Sequence, residues 1–273
     1  MASIQLYEGE FGHVSVLRAA SNFVTHAHPD LQLVIHIDGA PGEMVVDGRR
    51  ICPAPHIAVG VNSLEPHSHS FGEATEPGRF LALYIEPGWI ARRHALGPRP
   101  FRRTAIPLDP ALRRVALNLM NRLGGEEAPR KALSRIESLI DRLVHAAAAP
   151  PARSRRATAV DYRVRRAIET MKANLCERIC LDDLARSVGL SRPHFFSLFK
   201  DQTQLTPNVY WNTLRMEEAV RQLRASEESM TDLACSLGFT SQGNFTRFFR
   251  DHTGVPPTLY REATRLGGDF QTH

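Results

Sequence analysis

Residues 183–210 and 232–260 carry one pattern twice. Asp183, Leu184, Ala185, Ser187 and Gly189 match Asp232, Leu233, Ala234, Ser236 and Gly238 at an offset of 49. Phe195, Phe199, Asp201, Thr203, Pro207 and Tyr210 match Phe245, Phe249, Asp251, Thr253, Pro257 and Tyr260 at an offset of 50, so one residue is inserted in the turn. A repeat with helical spacing confines this stretch to an all-α domain in which one small unit folds twice.

Each copy has the parts of a helix-turn-helix. A short helix ends at Gly189 or Gly238, where glycine can take the left-handed conformation that stops a helix. Leu190 and Phe239 follow and can pack into the angle between helices. Ser191 in one copy, and Thr240 or Ser241 in the other, can cap the second helix through a side-chain oxygen. Phe195, Leu198 and Phe199 form an i, i+3, i+4 core stripe, mirrored by Phe245, Phe248 and Phe249. The opposite faces carry Arg192, Pro193, Phe196, Ser197 and Lys200 in one copy, and Gln242, Gly243, Thr246, Arg247 and Arg250 in the other. A helix that buries aromatics behind and presents such residues in front suits the DNA major groove.

Between the copies, "TPNVYWNTLRMEEAVRQLRAS" (206–226) predicts a long amphipathic helix. About 19 helical residues span roughly 28 Å, close to the ~34 Å turn that separates successive major-groove faces of B-DNA. Bulk charge adds little to this reading. The chain is +5 overall, but residues 161–273 hold 15 Lys and Arg against 14 Asp and Glu, a balance of +1. The case for DNA therefore rests on which faces carry the charge.

The quoted segments, with "LDDLARSVGLSRPHFFSLFK", "LTPNVYWNTLRMEEA" and "LGFTSQGNFTRFFRDHTGVPP" in that order, resemble the AraC/XylS family of bacterial transcription regulators over residues 161–262. The resemblance implies a regulator, not an enzyme. Its two helix-turn-helix units would bind promoter DNA and, in most of the family, activate transcription beside RNA polymerase. Arg192, Pro193, Phe196, Ser197 and Lys200 would face one groove, and Gln242, Gly243, Thr246 and Arg247 the next. Three residues depart from the pattern. Ser197 stands where a basic residue is frequent, Gln204 where the second copy has Gly254, and Cys180 where the second copy has the capping Ser229.

The front half has a different period. "LQLVIHI" alternates, with Leu31, Leu33, Ile35 and Ile37 on one face and Gln32, Val34 and His36 on the other. "GEMVVDGRRI" predicts strand, Asp-Gly turn and strand, and "HIAVGV" and "RFLALYIE" supply further strands. Leu112, Val115, Leu119 and Leu123, then Leu133, Ile136, Ile140 and Leu143, predict two amphipathic helices joined by "GGEEAPR". Their apolar stripe exceeds what one small domain needs, so it is expected to make a homodimer contact. "HAAAAPPARSRRATA" (145–159) reads as a helix end running into a linker. The expected organisation is a cupin-like antiparallel β-barrel over 1–105, a helical pair over 106–148, a linker over 149–160 and the double helix-turn-helix domain over 161–265.

"THAHPDLQ" and "PHSHS" bring histidines into the barrel half, which loosely resembles the cupin-like sensor domains of the same family. Where a metal-binding cupin has Glu four residues after its H-x-H, this chain has Gln32, a poor ligand, so neither a metal nor another cofactor is expected. His26, His28, Gln32, His36 and His67 are instead expected to line a pocket for a small-molecule effector inside the barrel. Two alternatives stay open: a cupin-type metalloenzyme fused to a DNA-binding module, and a regulator whose N-terminal half only dimerises. Cys52, Cys176, Cys180 and Cys235 are scattered, and no disulfide or zinc site is assigned to them. No apolar run reaches the ~18 residues of a membrane span, and "MASIQLYEGEFGH" lacks signal-peptide features. The expected place is the cytoplasm, at the nucleoid when bound to DNA.

Overall fold

A computed structural model of the chain describes residues 3–74, 76–97, 99–123, 129–147, 160–177 and 179–268. The front half forms two antiparallel sheets. The larger runs in the order β1 (Ser3–Gly9), β2 (Gly12–Ala19), β9 (Gly78–Ile85), β4 (Leu31–Asp38), β7 (Ile57–Val61) and β10 (Ala105–Pro107). The smaller runs β3 (Phe23–His26), β8 (His67–Ser70), β5 (Glu43–Val46) and β6 (Arg49–Ile51). β5 and β6 pair through the Asp47-Gly48 turn, with both residues at positive φ (48° and 77°), as a tight hairpin turn demands.

β4 is buried on both faces, and its alternation sorts its side chains between two cores. Leu31, Leu33, Ile35 and Ile37 join one cluster with the helices behind the sheet, while Val34 joins Met44, Val46, Val61 and Phe80 where the two sheets face each other. The helices behind are α1 (Pro87–His94), α2 (Pro110–Leu123) and α3 (Pro129–Ala147). α1 lies within the stretch expected to be only strands. Glu86 caps it by accepting from the Gly88 and Trp89 amides, with Pro87 at the first turn. Arg93 and His94 at its end bond Asp141 of α3 at 2.7 and 2.9 Å.

Most of the apolar stripe of α2 and α3 packs inside the chain. Leu112, Leu119, Leu123, Ile136, Ile140 and Leu143 are all buried in the cluster that includes Leu33, Ile35 and Leu83. The large sheet absorbs most of that stripe, and Val115 and Leu133 of the same stripe are only partly buried. The joining segment 124–128 and most of the expected linker, 149–159, lie outside the described residues.

The back half is all helical: α4 (Tyr162–Ala173), α5 (Leu181–Ser187), α6 (Arg192–Thr203), α7 (Pro207–Ala225), α8 (Met230–Ser236), α9 (Gln242–Thr253) and α10 (Pro257–Gly268). α7 is the expected connecting helix, 19 residues long and capped by Thr206. The two repeats do not share one core. The first unit packs Phe195 and Phe199 with Val164, Met171 and Trp211, all from the helical half. The second unit's Phe245, Phe249 and Tyr260 fall in one cluster with Leu6, Leu17 and Val34 of the sheets.

Candidate functional site

The two helix-turn-helix units are built as the repeat predicts. Gly189 and Gly238 sit at φ +74° and +70°. Phe195, Phe199, Phe245 and Phe249 have no exposed surface, which leaves the far sides of α6 and α9 to face solvent. Arg192, Pro193, Ser197, Lys200, Gln242, Gly243, Arg247 and Arg250 are exposed, and Phe196 and Thr246 are partly buried. Phe196 is therefore half a core residue; its ring packs against the first unit's core and carries the Arg192 guanidinium 4.9 Å above it. Arg192 also pairs with Asp182. Among the described residues, no ion pair engages Lys200 or Arg247.

The caps differ between the copies. Ser241 accepts from the Asn244 amide at 3.2 Å and Ser229 from the Asp232 amide at 3.1 Å. Ser191 makes no such bond, contrary to expectation, and Cys180 makes none either. Both recognition helices of the repeat thus end alike, but only the second begins with a side-chain cap.

Between the sheets, Val34, Met44, Val46, Val61 and Phe80 pack together and leave a small cavity that Gln32, His67 and His69 help to line. A larger cavity of about 170 Å³ lies where the sheets meet the helical half. Its sheet-side wall includes Leu6, Leu17, His26, His28, Asp30 and Tyr84, and its helical wall Thr213, Met216, Glu217, Val220, His252 and Tyr260. The halves are joined around it. Thr213 donates to the Ala27 carbonyl at 3.0 Å, and Arg224 pairs with Glu8 at 2.9 Å and bonds the Tyr260 hydroxyl. A larger, more open cleft of about 630 Å³ lies between the two helix-turn-helix units, lined by Trp211, Arg215 and Phe239 among others. Its polar lining comes from Glu177, Arg215, Thr240 and Asn244.

Of the expected pocket residues, His26 and His28 line the interdomain cavity. Gln32 and His67 line a small adjoining one together with His26 and His252. His36 belongs to neither, because its Nε2 is held by the Gly39 carbonyl at 3.0 Å and its ring lies on Phe80. The histidines are crowded by protein, and burial favours their neutral form. It draws His26 down to about 3, with the neighbouring His28 adding to the effect, and drives His67 well below the usual range. Burial raises the Asp30 and Glu217 carboxyls and the Tyr84 phenol. Sequence reasoning missed Tyr84, Thr213, Glu217, Tyr260 and His252. Only His252 left a trace, since the first copy has Gln202 at the matching position.

Comparison with known proteins fits this architecture. The family model described as a helix-turn-helix domain matches residues 184–263. A stretch of 86 residues is 36% identical to the probable transcription factor PqrA of Proteus vulgaris, covering 32% of this chain and 70% of that protein. The chain belongs to the AraC/XylS family of transcription regulators. Another relative, the HTH-type transcriptional regulator YobQ of Bacillus subtilis, is 38% identical over 94 residues. That match covers 34% of this chain and 39% of YobQ, so the chain spans well under half the length of that relative. Among solved structures, apo ToxT from Vibrio cholerae matches 94% of this chain and 99% of its own, with TM-score 0.54 and 11% identity. That likeness is one of fold, an antiparallel sheet domain followed by a double helix-turn-helix.

Proposed function

We propose that this chain is a promoter-binding transcription regulator, acting as an effector-responsive activator, that reads DNA with α6 and α9 and senses a small molecule between its two halves. The observation that carries this reading is the pairing of two like helices. Each hides two phenylalanines and exposes a polar face, with the faces joined through one 19-residue strut. An occupant of the interdomain cavity would touch α7, α9 and α10 directly, so its binding energy can bias how the second unit is held. Contact with RNA polymerase belongs to this reading through the family resemblance, and a homodimer through α2 and α3 stays part of it, with most of their stripe packed inside the chain. A cytoplasmic place at the DNA follows from the activity, and no described helix is long and apolar enough to cross a membrane.

The test is a pair of variants titrated on a selected cognate site and on scrambled DNA across a salt series. Arg247 is exposed midway along α9, and a guanidinium bonding guanine O6 and N7 discriminates by about 1–3 kcal/mol. Arg247→Ala should weaken the cognate site by that much and scrambled DNA far less. Lys200→Ala should weaken both alike and reduce the salt slope by about one unit. Equal losses on both DNAs for Arg247→Ala would refute base reading by that residue.

A further inference from the structure

His26, His28 and His67 place one ring nitrogen each within 4.8 Å of one another. Which nitrogen each offers is fixed by its other hydrogen bond. His26 Nδ1 lies 2.7 Å from the Val24 carbonyl, His28 Nδ1 2.8 Å from that of Asp30, and His67 Nδ1 2.9 Å from that of Glu65. A carbonyl can only accept, so each Nδ1 carries the proton and each Nε2 a lone pair. His252 of α9 repeats the arrangement, its Nδ1 donating to the Phe248 carbonyl at 2.6 Å. Its ring centroid is 6.0 Å from that of His26, which in turn is 4.2 Å from that of His67.

Three of these lone pairs are unsatisfied. The Nε2 atoms of His28, His67 and His252 and the Oε1 of Gln32 are buried with no hydrogen-bond partner among the described residues. All four are acceptors, and buried acceptors left without a partner call for a donor or a cation. Imidazole nitrogens favour zinc and its borderline-soft neighbours over magnesium or calcium. The carbonyl bonds on Nδ1 are the outer contacts that hold histidine ligands in their tautomer and orientation.

We propose that His26, His28, His67 and His252 form a site for a divalent transition-metal ion of the zinc type, bridging the sensor sheets and the second recognition helix. Gln32, at the place where a metal-binding cupin has Glu, is not needed for this set, since α9 supplies the fourth nitrogen. Zinc–nitrogen bonds of about 2.0–2.1 Å put tetrahedral ligands roughly 3.3 Å apart. Closing the set therefore draws the three grouped nitrogens, now within 4.8 Å of one another, closer together, and swings in His252, whose ring centroid is 6.0 Å from that of His26. The ion would fasten the C-terminal end of α9 to β3 and β8. This site stands or falls independently of DNA reading, because metal binding is measured with no DNA present.

The experiment uses the full chain, stripped with a chelator and titrated with Zn²⁺ by calorimetry and with Co²⁺ by absorption. Wild type should bind one equivalent and give the intense visible bands of tetrahedral cobalt. His67→Ala should lower affinity by roughly 100-fold or more, since even outer-contact losses cost about 10–100-fold. His26→Ala, at a less buried ligand, should do the same if His67→Ala fails to fold. His252→Gln should weaken binding at least tenfold, on the order of an outer-contact loss, and alter the cobalt spectrum. His36→Ala should change neither. Absence of a saturable equivalent, or wild-type binding by His26→Ala, overturns the site; an unchanged spectrum and affinity in His252→Gln overturns the bridge.

Discussion

The two helix-turn-helix units share a plan but not a neighbourhood. In the first, Phe199 stacks edge-on against Tyr210 with centroids 5.3 Å apart, and in the second Phe249 meets Tyr260 at the same separation. Around that common joint the surroundings diverge. The first unit closes its core with α4 and the start of α7, whereas the second closes its core against the sensor sheets. Tyr260 bonds Arg224 and lines the interdomain cavity. Two positions where the copies differ fall at this contact. Gln202 accepts from the Asp161 amide inside the helical half, while His252 faces the histidines of the sensor. Gln204 and Gly254 both take the left-handed conformation, but only Gly254 lies against Phe23 of β3. Duplication supplied two readers, and divergence at a few residues left one of them coupled to the sensing half.

The largest effects should come from emptying the two cores. Phe199→Ala and Phe249→Ala each remove a fully buried ring, at a cost of about 3–5 kcal/mol. Hydrogen exchange should show Phe199→Ala loosening α4 to α6 while leaving β1 and β3 protected. Phe249→Ala should loosen α8 to α10 and also the sensor strands packed on them. Equal exchange in β1 and β3 for the two variants would break the comparison.

A smaller contrast comes from the glycines. A Cβ on Gly254 (φ +78°) would lie 2.2 Å from the Phe23 ring, while one on Gly189 (φ +74°) would meet nothing within 4 Å. Gly189→Ala should cost only the left-handed strain of about 1–2 kcal/mol. Gly254→Ala should cost more and should perturb the Phe23 resonances of β3. Denaturant midpoints that fall equally for both would show that Phe23 yields freely.

The smallest change is a gain. Gln204 carries φ +63° where a glycine would sit without strain, so Gln204→Gly should stabilise by roughly 0.5–1 kcal/mol, seen as a raised urea midpoint at constant slope. Because the first unit is remote from β3, ligand or metal responses of the sensor should be unaffected. A lowered midpoint would mean that glycine's greater freedom in the unfolded chain outweighs the relief.

These contrasts also mark how far the sequence could be read. Gly189, Gly238, the Phe pairs, the Asp47-Gly48 turn and α7 were legible because their signals are local: a backbone conformation, a helical period, a cap. α1 was overlooked although Glu86 and Pro87 announce its start. For the stripe on α2 and α3, local periodicity reports an apolar face but not what covers it. Cavity placement depended on strand order and on docking of the halves, both long-range. His252 illustrates the limit: its helix, period and unit were clear, yet nothing nearby in sequence says that its ring looks toward β3.

The bond from Thr213 to the Ala27 carbonyl gives α7 a pivot. Thr213 stands a third of the way along that helix, so the sensor grips a beam with unequal arms. About 12 residues, roughly 18 Å, separate the pivot from Ala225 at the far end. A tilt of about 5° there would swing the second unit's end by roughly 1.6 Å and the first unit's end by about half as much in the opposite sense. Gearing of that kind turns a slight shift in the cavity wall into a change of phase between two readers that have to fit one turn of a duplex.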